Sequence, residues 1–356
     1  MSTIVISGYY GFGNLGDELI LSAILRQLKK LNPKIITIVL SHNPERTTRE
    51  HGVRAIGRWN PFSVGWALMR SSLLISGGGG LIQDKTSWRT PLYYLGVMGM
   101  ALILGKPVVG WGQGVGPVVH PINRWLTRVI IIRLSFIMVR DPASYDTLLE
   151  LGVSKDKVLL GADLVFTLAP QARATAKKRK KGPLAIILRN DLSPQAEIVL
   201  CDFLEQARRL TKLPLVFLSF QDEFDFSVTQ RVRSALPFKT EVALPRLDTE
   251  VMLGFFTRAE LVLSMRFHAL ILSAMAGTPS LGLSSSPKID AFLANFGQIS
   301  LVGSDVLVKD DAVEQLARVW KKRGVFQEHL AKGLIQSRKR LKTAENRLSV
   351  MIKSIV

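Results

Sequence analysis

The chain has 356 residues, 47% hydrophobic and 21% charged, which excludes a disordered chain and predicts two domains rather than one core. Its formal charge of +19 predicts an anionic partner: nucleic acid, an acidic membrane face or a phosphorylated substrate. The single cysteine, Cys201, excludes an intrachain disulfide and reads as a small core residue among helix-patterned apolar neighbours.

Residues 1–8 read as a strand, without the basic segment and small-residue cleavage site of a secretory signal. No run reaches the roughly 18 to 20 apolar residues of a membrane span. The longest, residues 92–104, stops at Gly105-Lys106-Pro107 and reads as a buried helix.

Residues 3–7 form the first strand. The turn Gly8-Tyr9-Tyr10-Gly11-Phe12-Gly13-Asn14-Leu15-Gly16-Asp17-Glu18 follows, then a helix with Leu19, Ile20, Ala23, Ile24 and Leu28 on one face. A strand at 35–40 completes a βαβ unit and hence predicts a parallel sheet. The turn is no Walker loop, because no Gly-Lys-Ser/Thr follows. It also misses the dinucleotide pattern, because the second strand ends Val39-Leu40-Ser41-His42 without an acid. Two readings stand. The glycines make a tight turn while Asp17 and Glu18 complement a helix N-terminus, or Gly11 and Gly13 let the backbone approach a ligand with Asn14 as a donor.

A strand at 73–76 breaks into Gly77-Gly78-Gly79-Gly80, and one at 107–111 into Gly112-Gln113-Gly114-Val115-Gly116-Pro117. Three glycine-rich loops on one edge of a parallel sheet are expected to line a cleft, which makes Gly78, Gly79 and Gln113 candidate binding positions. The helical stretch 123–136 carries Arg124, Arg128 and Arg133 among apolar residues. It reads as a packed helix with a solvated basic face, and alternatively as a surface resting on anionic lipid. A strand at 137–139 ends in Arg140-Asp141, and a short strand at 157–163 closes the half.

Lys177-Lys178-Arg179-Lys180-Lys181 marks a basic linker at 170–182, between a domain at 1–169 and one at 183–310. It reads as solvated, and no nucleic-acid partner is expected. The second half repeats the alternation of strands and helices. At 260–270 an apolar strand hands over to a helix with Arg266 and His268 between them. Arginine offers a planar fork of donors for carboxylate or phosphate, and histidine carries a proton near neutral pH. The pair therefore points to an anionic substrate with acid/base chemistry beside it. A strand at 280–283 leads into Ser284-Ser285-Ser286-Pro287-Lys288.

Residues 311–356 read as helices broken around Gly324. Between Arg318 and Lys353 there are eleven Lys or Arg and two acids, while Leu330, Leu334, Leu341, Leu348 and Ile352 keep an apolar stripe. This predicts a docked amphipathic helix with a basic outer face. Contact of that face with acidic headgroups, at about 1 kcal/mol per cation, is the alternative to simple solvation. No His/Cys cluster or paired-Asp motif marks a metal site.

The first glycine-rich turn, Gly77 to Leu81, Gly112 to Pro117, Arg140-Asp141, Gly161-Ala162-Asp163 and Met265-Arg266-Phe267-His268-Ala269 together resemble the polysaccharide pyruvyl transferase family, most closely its CsaB-like branch. The resemblance runs from residue 8 to about residue 290. It implies a GT-B-like α/β fold, with two Rossmann-type parallel-sheet domains facing a cleft. It also implies transfer of an enolpyruvyl unit from phosphoenolpyruvate to a sugar, giving a pyruvate ketal. The implied acceptor is N-acetylmannosamine in a polyprenyl-diphosphate-linked saccharide, the precursor of a cell-wall polymer of the kind that anchors an S-layer.

For that chemistry Arg266 is the first choice to clamp the donor, with Arg140 and Lys288 as further cations, and His268 is the acid/base. Asp17, Glu18, Asp84 and Asp163 are candidates to orient sugar hydroxyls. No metal or cofactor is expected beyond phosphoenolpyruvate as donor substrate, and the expected location is cytoplasmic, peripheral at the inner membrane face. One departure stands out: the aromatic residue expected before Lys288 is absent from Ser285-Ser286-Pro287-Lys288. The rival reading is a GT-B glycosyltransferase using a nucleotide sugar.

Overall fold

The structure, a computed structural model, describes residues 2–85, 87–168, 182–244, 247–283, 286–301 and 311–355. The chain divides into two units, one comprising Met1–Leu168 with Ser337–Val356 and the other Ala169–Gln336. The basic run 177–181 and Ser284-Ser285 lie outside the described residues.

The first unit starts with β1 (Thr3–Ser7), α1 (Leu15–Leu31), β2 (Ile36–Ser41), α2 (Pro44–His51), β3 (Arg54–Gly57) and α3 (Pro61–Met69). It continues with β4 (Leu73–Ser76), β5 (Gly79–Ile82), α4 (Thr90–Ile103), β6 (Val108–Val115), α5 (Pro121–Ile131), β7 (Phe136–Val139), α6 (Pro142–Glu150) and β8 (Val158–Leu160). The sheet order is β3-β2-β1-β4-β6-β7-β8, with β5 paired to β6, and every pair is parallel. The direction of winding reverses between β1 and β4. Right-handed crossovers then place α1 and α2 on one face of the sheet and α3 to α6 on the other. Helices on both faces explain why β1, β4 and β7 read as continuous apolar runs rather than alternating ones.

The second unit runs β9 (Leu184–Ile187), α7 (Pro194–Thr211), β10 (Leu215–Leu218), α8 (Asp222–Ala235), β11 (Glu241–Ala243), α9 (Thr249–Arg258) and β12 (Leu261–Ser264). Next come α10 (Phe267–Ala276), β13 (Ser280–Gly282), α11 (Pro287–Asn295), β14 (Ile299–Ser300) and α12 (Ala312–Lys321). Its sheet, β11-β10-β9-β12-β13-β14, is also parallel throughout and reverses between β9 and β12. Each unit has its own apolar core. Both sheets thus have the Rossmann-type winding expected, and in each the reversal marks where loops splay apart to admit a ligand.

Several local expectations change. Gly112, Gln113 and Gly114 lie within β6, and Gly79 and Gly80 within β5, so these glycines sit in strands of the sheet rather than in free loops. The sequence pattern does not reveal α2, in which only Thr47 is buried, nor the short β3 and β14. The helix read as buried at 92–104 is buried on one side only, since Ile103 is 87% exposed. The tail breaks at Lys322, between α12 and α13 (Arg323–Ile355), rather than at Gly324.

The last five turns of α13 belong to the first unit. Leu341, Ala344, Leu348 and Ile352 are buried there. Gln27 in α1 donates to Glu345 at 2.7 Å and accepts from the Trp111 indole at 2.9 Å, which joins the tail to β6 through one side chain. Arg347 lies over the Phe136 ring at 4.9 Å. Leu348→Ala should therefore lower unfolding free energy by about 2–5 kcal/mol in urea titrations, as for a buried leucine. An unchanged midpoint would mean that the tail is not part of the first unit's core.

Candidate active site

In the first unit, α1 begins where the Asn14 side chain accepts from Gly16 N–H at 3.1 Å, so Asn14 serves as the helix cap. Gly11 and Gly13 have φ of +79° and +73°, which favours glycine at both. A Cβ on Gly11 would also stand 2.6 Å from the Asn43 nitrogen. Glu18 is buried and closes this turn: Oε1 accepts from Gly11 N–H at 2.8 Å, and Oε2 meets His51 Nε2 at 2.9 Å. Its carboxylate is thus engaged in shaping the loop.

The ends of β1, β4 and β6 are tied together. Gly77 N–H donates to the Ser7 carbonyl at 2.7 Å. Gln113 is wholly buried, and its amide nitrogen donates to Ser76 O at 2.9 Å and Gly77 O at 2.6 Å. Its amide nitrogen is therefore spent on the neighbouring strand end. A Cβ on Gly78 would stand 2.9 Å from Gly112 O, and one on Gly79 3.1 Å from Asp17 Oδ1. The buried Tyr10 ring fills the space beside Gly8 and Gly77. Burial first, then Asp17 and Glu18, push its hydroxyl well above its usual 10.0.

Arg140 follows β7 and is buried over Gly114, whose Cβ would come 3.0 Å from Nη2. It donates to Asp163 at 3.0 Å, and Asp163 also accepts from Val165 N–H at 3.1 Å. Asp84 accepts from the Val119 and His120 N–H groups, at 3.0 and 2.8 Å, and from Asn123. Partial burial raises its pKa, but those hydrogen bonds outweigh burial and hold it below 3.8. Asp84 and Asp163 therefore already brace local structure.

Arg58 was not among the sequence candidates. It is buried and donates to Gly8 O at 3.1 Å. Its guanidinium sits 4.0 Å from the centre of Tyr93, 5.0 Å from Trp59, 5.2 Å from Phe12 and 5.3 Å from Tyr94. Phe12 in turn stacks on Tyr9 and His42 at 4.0 and 4.3 Å. The local signals were Arg58-Trp59 and Tyr93-Tyr94, and only the packing of α4 beside α3 unites them.

In the second unit, Arg266 is the N-cap residue of α10 at the end of β12. Its Nε donates to Asp225 Oδ2 at 2.9 Å and its Nη2 to Gln221 Oε1 at 3.0 Å, and Nη2 also pairs with Asp225 Oδ1. Asp225 is completely buried in α8, whereas the Arg266 side chain is 16% exposed. Two sides of the guanidinium are thereby used, and among the described residues Nη1 makes no hydrogen bond. Phe267 packs edge-on to His268 at 5.5 Å and lies under the Lys288 ammonium at 5.7 Å. Arg266, His268 and Lys288 thus share the C-terminal edge of β12 and β13. The other sequence candidates, Gly11, Gly13, Asn14, Asp17, Glu18, Gly78, Gly79, Asp84, Gln113, Arg140 and Asp163, belong to the first unit.

Among the described residues, Glu18, Glu50 and His51 place ligand atoms within 4.8 Å of one another. Glu50 is paired to Arg46 at 2.8 Å and Glu18 to Gly11 and His51, so the cluster reads as an ion-pair network.

The family model for polysaccharide pyruvyl transferase matches residues 14–287. Among curated proteins no sequence match is found. The MnaA–UDP structure from S. aureus superposes with a TM-score of 0.62 at 14% identity, covering 93% of this chain and 91% of that one. UDP-GlcNAc 2-epimerase from Neisseria meningitidis, bound to UDP-GlcNAc, gives 0.65 at 13%, over 98% and 100%. The glycosyltransferase of kitacinnamycin gives 0.60 at 10%, over 99% of both. These likenesses show a GT-B-type fold.

Arg266→Ala would strand the buried Asp225 carboxylate and should lower stability by about 3–5 kcal/mol in chemical denaturation, separately from any ligand effect. A variant as stable as the parent would show that the pair is not what orders this edge. Burial, opposed by the nearby Arg58, pushes the Tyr94 hydroxyl up to about 12. Its folded value is raised, so its stabilisation is whole below the unfolded pKa of 10.0 and is lost as pH rises through 12. Tyr94→Phe should flatten that alkaline loss in thermal melts; an identical pH profile would overturn the assignment.

Proposed function

The chain belongs to the polysaccharide pyruvyl transferase family, and from that premise we propose that it uses phosphoenolpyruvate as donor and forms a pyruvate ketal on a lipid-linked sugar. The observation that carries this reading is the gathering of Arg266, His268 and Lys288 at one strand edge of the second unit. Phosphoenolpyruvate presents a carboxylate and a phosphate, which call for more than one cation. The Nη1 edge of Arg266 and the Lys288 ammonium supply two, and Asp225 holds the guanidinium in a fixed plane. Pairing with Asp225 offsets much of the Arg266 charge, so Arg266 acts mainly by orienting.

The reaction adds a proton to the methylene carbon, which leaves C2 electron-poor. One sugar hydroxyl attacks C2, phosphate departs, and a second hydroxyl closes the ketal. Of the two hydroxyl protons, one balances the new methyl group and the other leaves with phosphate. His268 is the residue we assign to that proton transfer. The acceptor we assign is N-acetylmannosamine on a polyprenyl diphosphate, as in the CsaB-like branch. Glu18, Asp84 and Asp163 are already hydrogen-bonded within the first unit, so they act on a sugar through loop shape more than through free oxygens.

Incubation of a synthetic lipid-linked disaccharide with phosphoenolpyruvate should add one pyruvyl unit by mass spectrometry. Addition of a hexose from a nucleotide sugar instead, with none from phosphoenolpyruvate, would overturn the reading in favour of a glycosyltransferase. His268→Ala should abolish the product while phosphoenolpyruvate still binds, and near-normal turnover would remove His268 from the mechanism.

A further inference from the structure

The apolar surface of the first unit is distributed unevenly. Trp59, Trp66, Trp88 and Trp125 are 64%, 40%, 46% and 62% exposed, and Phe62 is 87% exposed. All lie on or just before α3, α4 and α5. Those helices share one face of the sheet, as their right-handed crossovers require. They are neighbours in space: Gly65 of α3 faces the Met100 sulfur of α4, and Gly99 of α4 faces Ile130 of α5. The aromatic rings join across them as well. Trp59, before α3, meets Tyr93 of α4 at 5.0 Å, and Trp88, before α4, stacks on His120 at the start of α5 at 5.6 Å.

The same segment is strongly basic. From Arg54 to Arg133 there are nine Lys or Arg and one acid, Asp84. That acid is bound to backbone N–H groups. Arg70, Arg89, Arg124, Arg128 and Arg133 are exposed among the aromatic residues. Exposed tryptophans ringed by cations, with almost no negative charge, match the boundary between headgroups and acyl chains of an anionic bilayer. No helix among the described residues is long and apolar enough to cross a membrane, so such a face would lie on the surface.

We propose that the α3–α5 face docks the protein on an anionic lipid bilayer. The sequence offers lipid contact as an alternative both for the helix at 123–136 and for the basic tail, but the tail's apolar stripe is consumed inside the fold: Leu341, Leu348 and Ile352 are each no more than 3% exposed. The tail has cations to offer, but the large apolar residues that α13 exposes are Val325, Ile335 and Val350, with no aromatic residue among them. The α3–α5 face combines cations with four exposed tryptophans and Phe62. It also adjoins the first glycine-rich turn, because the Arg58 guanidinium spans Trp59 and Phe12. The docking rests on exposure and charge and not on the reaction proposed above.

The test uses the full chain with vesicles of phosphatidylglycerol and phosphatidylcholine. The protein should sediment with them, its tryptophan emission should move to the blue, and brominated acyl chains should quench it. Phe62→Ser/Trp125→Ser should weaken partitioning roughly a hundredfold, the loss of two buried aromatic side chains, with an unchanged thermal melt. Lys339→Glu/Lys342→Glu in the tail should retain most of the binding. The proposal is overturned if the wild-type chain ignores these vesicles, if the face variant binds as well as the parent, or if only the tail variant loses binding. It is equally overturned if sedimentation shows a dimer that the face variant dissociates without a change in lipid binding, which would assign the face to a second copy.

Discussion

At the reversal point of the first sheet, Gly78 passes so close to the Gly112 carbonyl that a methyl group on it would stand 2.9 Å away. Gln113 fills the remaining hydrogen-bonding capacity of the neighbouring strand end, and Tyr10 fills the volume beside Gly77. The first of these is a backbone-to-backbone constraint, so only glycine satisfies it. What depends on them is the position of everything attached to β1, β4 and β6: the Asn14-capped helix, Asp17 over Gly79, and Arg140 over Gly114. A larger residue at such a point would separate strand ends that are otherwise held by hydrogen bonds of 2.6–2.9 Å.

The second unit meets the same topological demand by a different route. Its strand ends are organised by side chains, above all the buried Asp225 carboxylate that holds Arg266 in a bidentate pair. Burying a carboxylate is costly unless geometry and additional hydrogen bonds compensate, which here come from Arg266 and from Gln221 N–H at 3.1 Å. The arrangement converts a flexible arginine into an oriented one. One unit thus offers a stiff, glycine-lined edge with aromatic neighbours, and the other offers oriented cations and an imidazole.

The positive charge is likewise used in two ways. In α13 the cations ride on the outside of a helix whose leucine stripe, with Ile352, packs into the protein, which is the ordinary solution for an amphipathic element. Along α3 to α5 the apolar residues that are not needed for the core remain outside with the cations. Composition alone cannot separate these cases, since both read as apolar and basic residues at helical spacing.

The sequence by itself determined the two parallel-sheet layers, because apolar runs followed by helical periodicity allow little else, and it marked the strand-end positions where glycine, Arg266, His268 and Lys288 stand. Its family resemblance agrees with a match over residues 14–287. It could not show that the Gln113 amide nitrogen and Glu18 are occupied by backbone C=O and N–H groups, because every residue carries such partners. Nor could it show Asp225 as the partner of Arg266, or Arg58 among four aromatic rings, because such pairings exist only once α8 lies beside β12 and α4 beside α3. Local periodicity decides which residues turn inward; only the packing of helices against the sheet decides which polar groups meet.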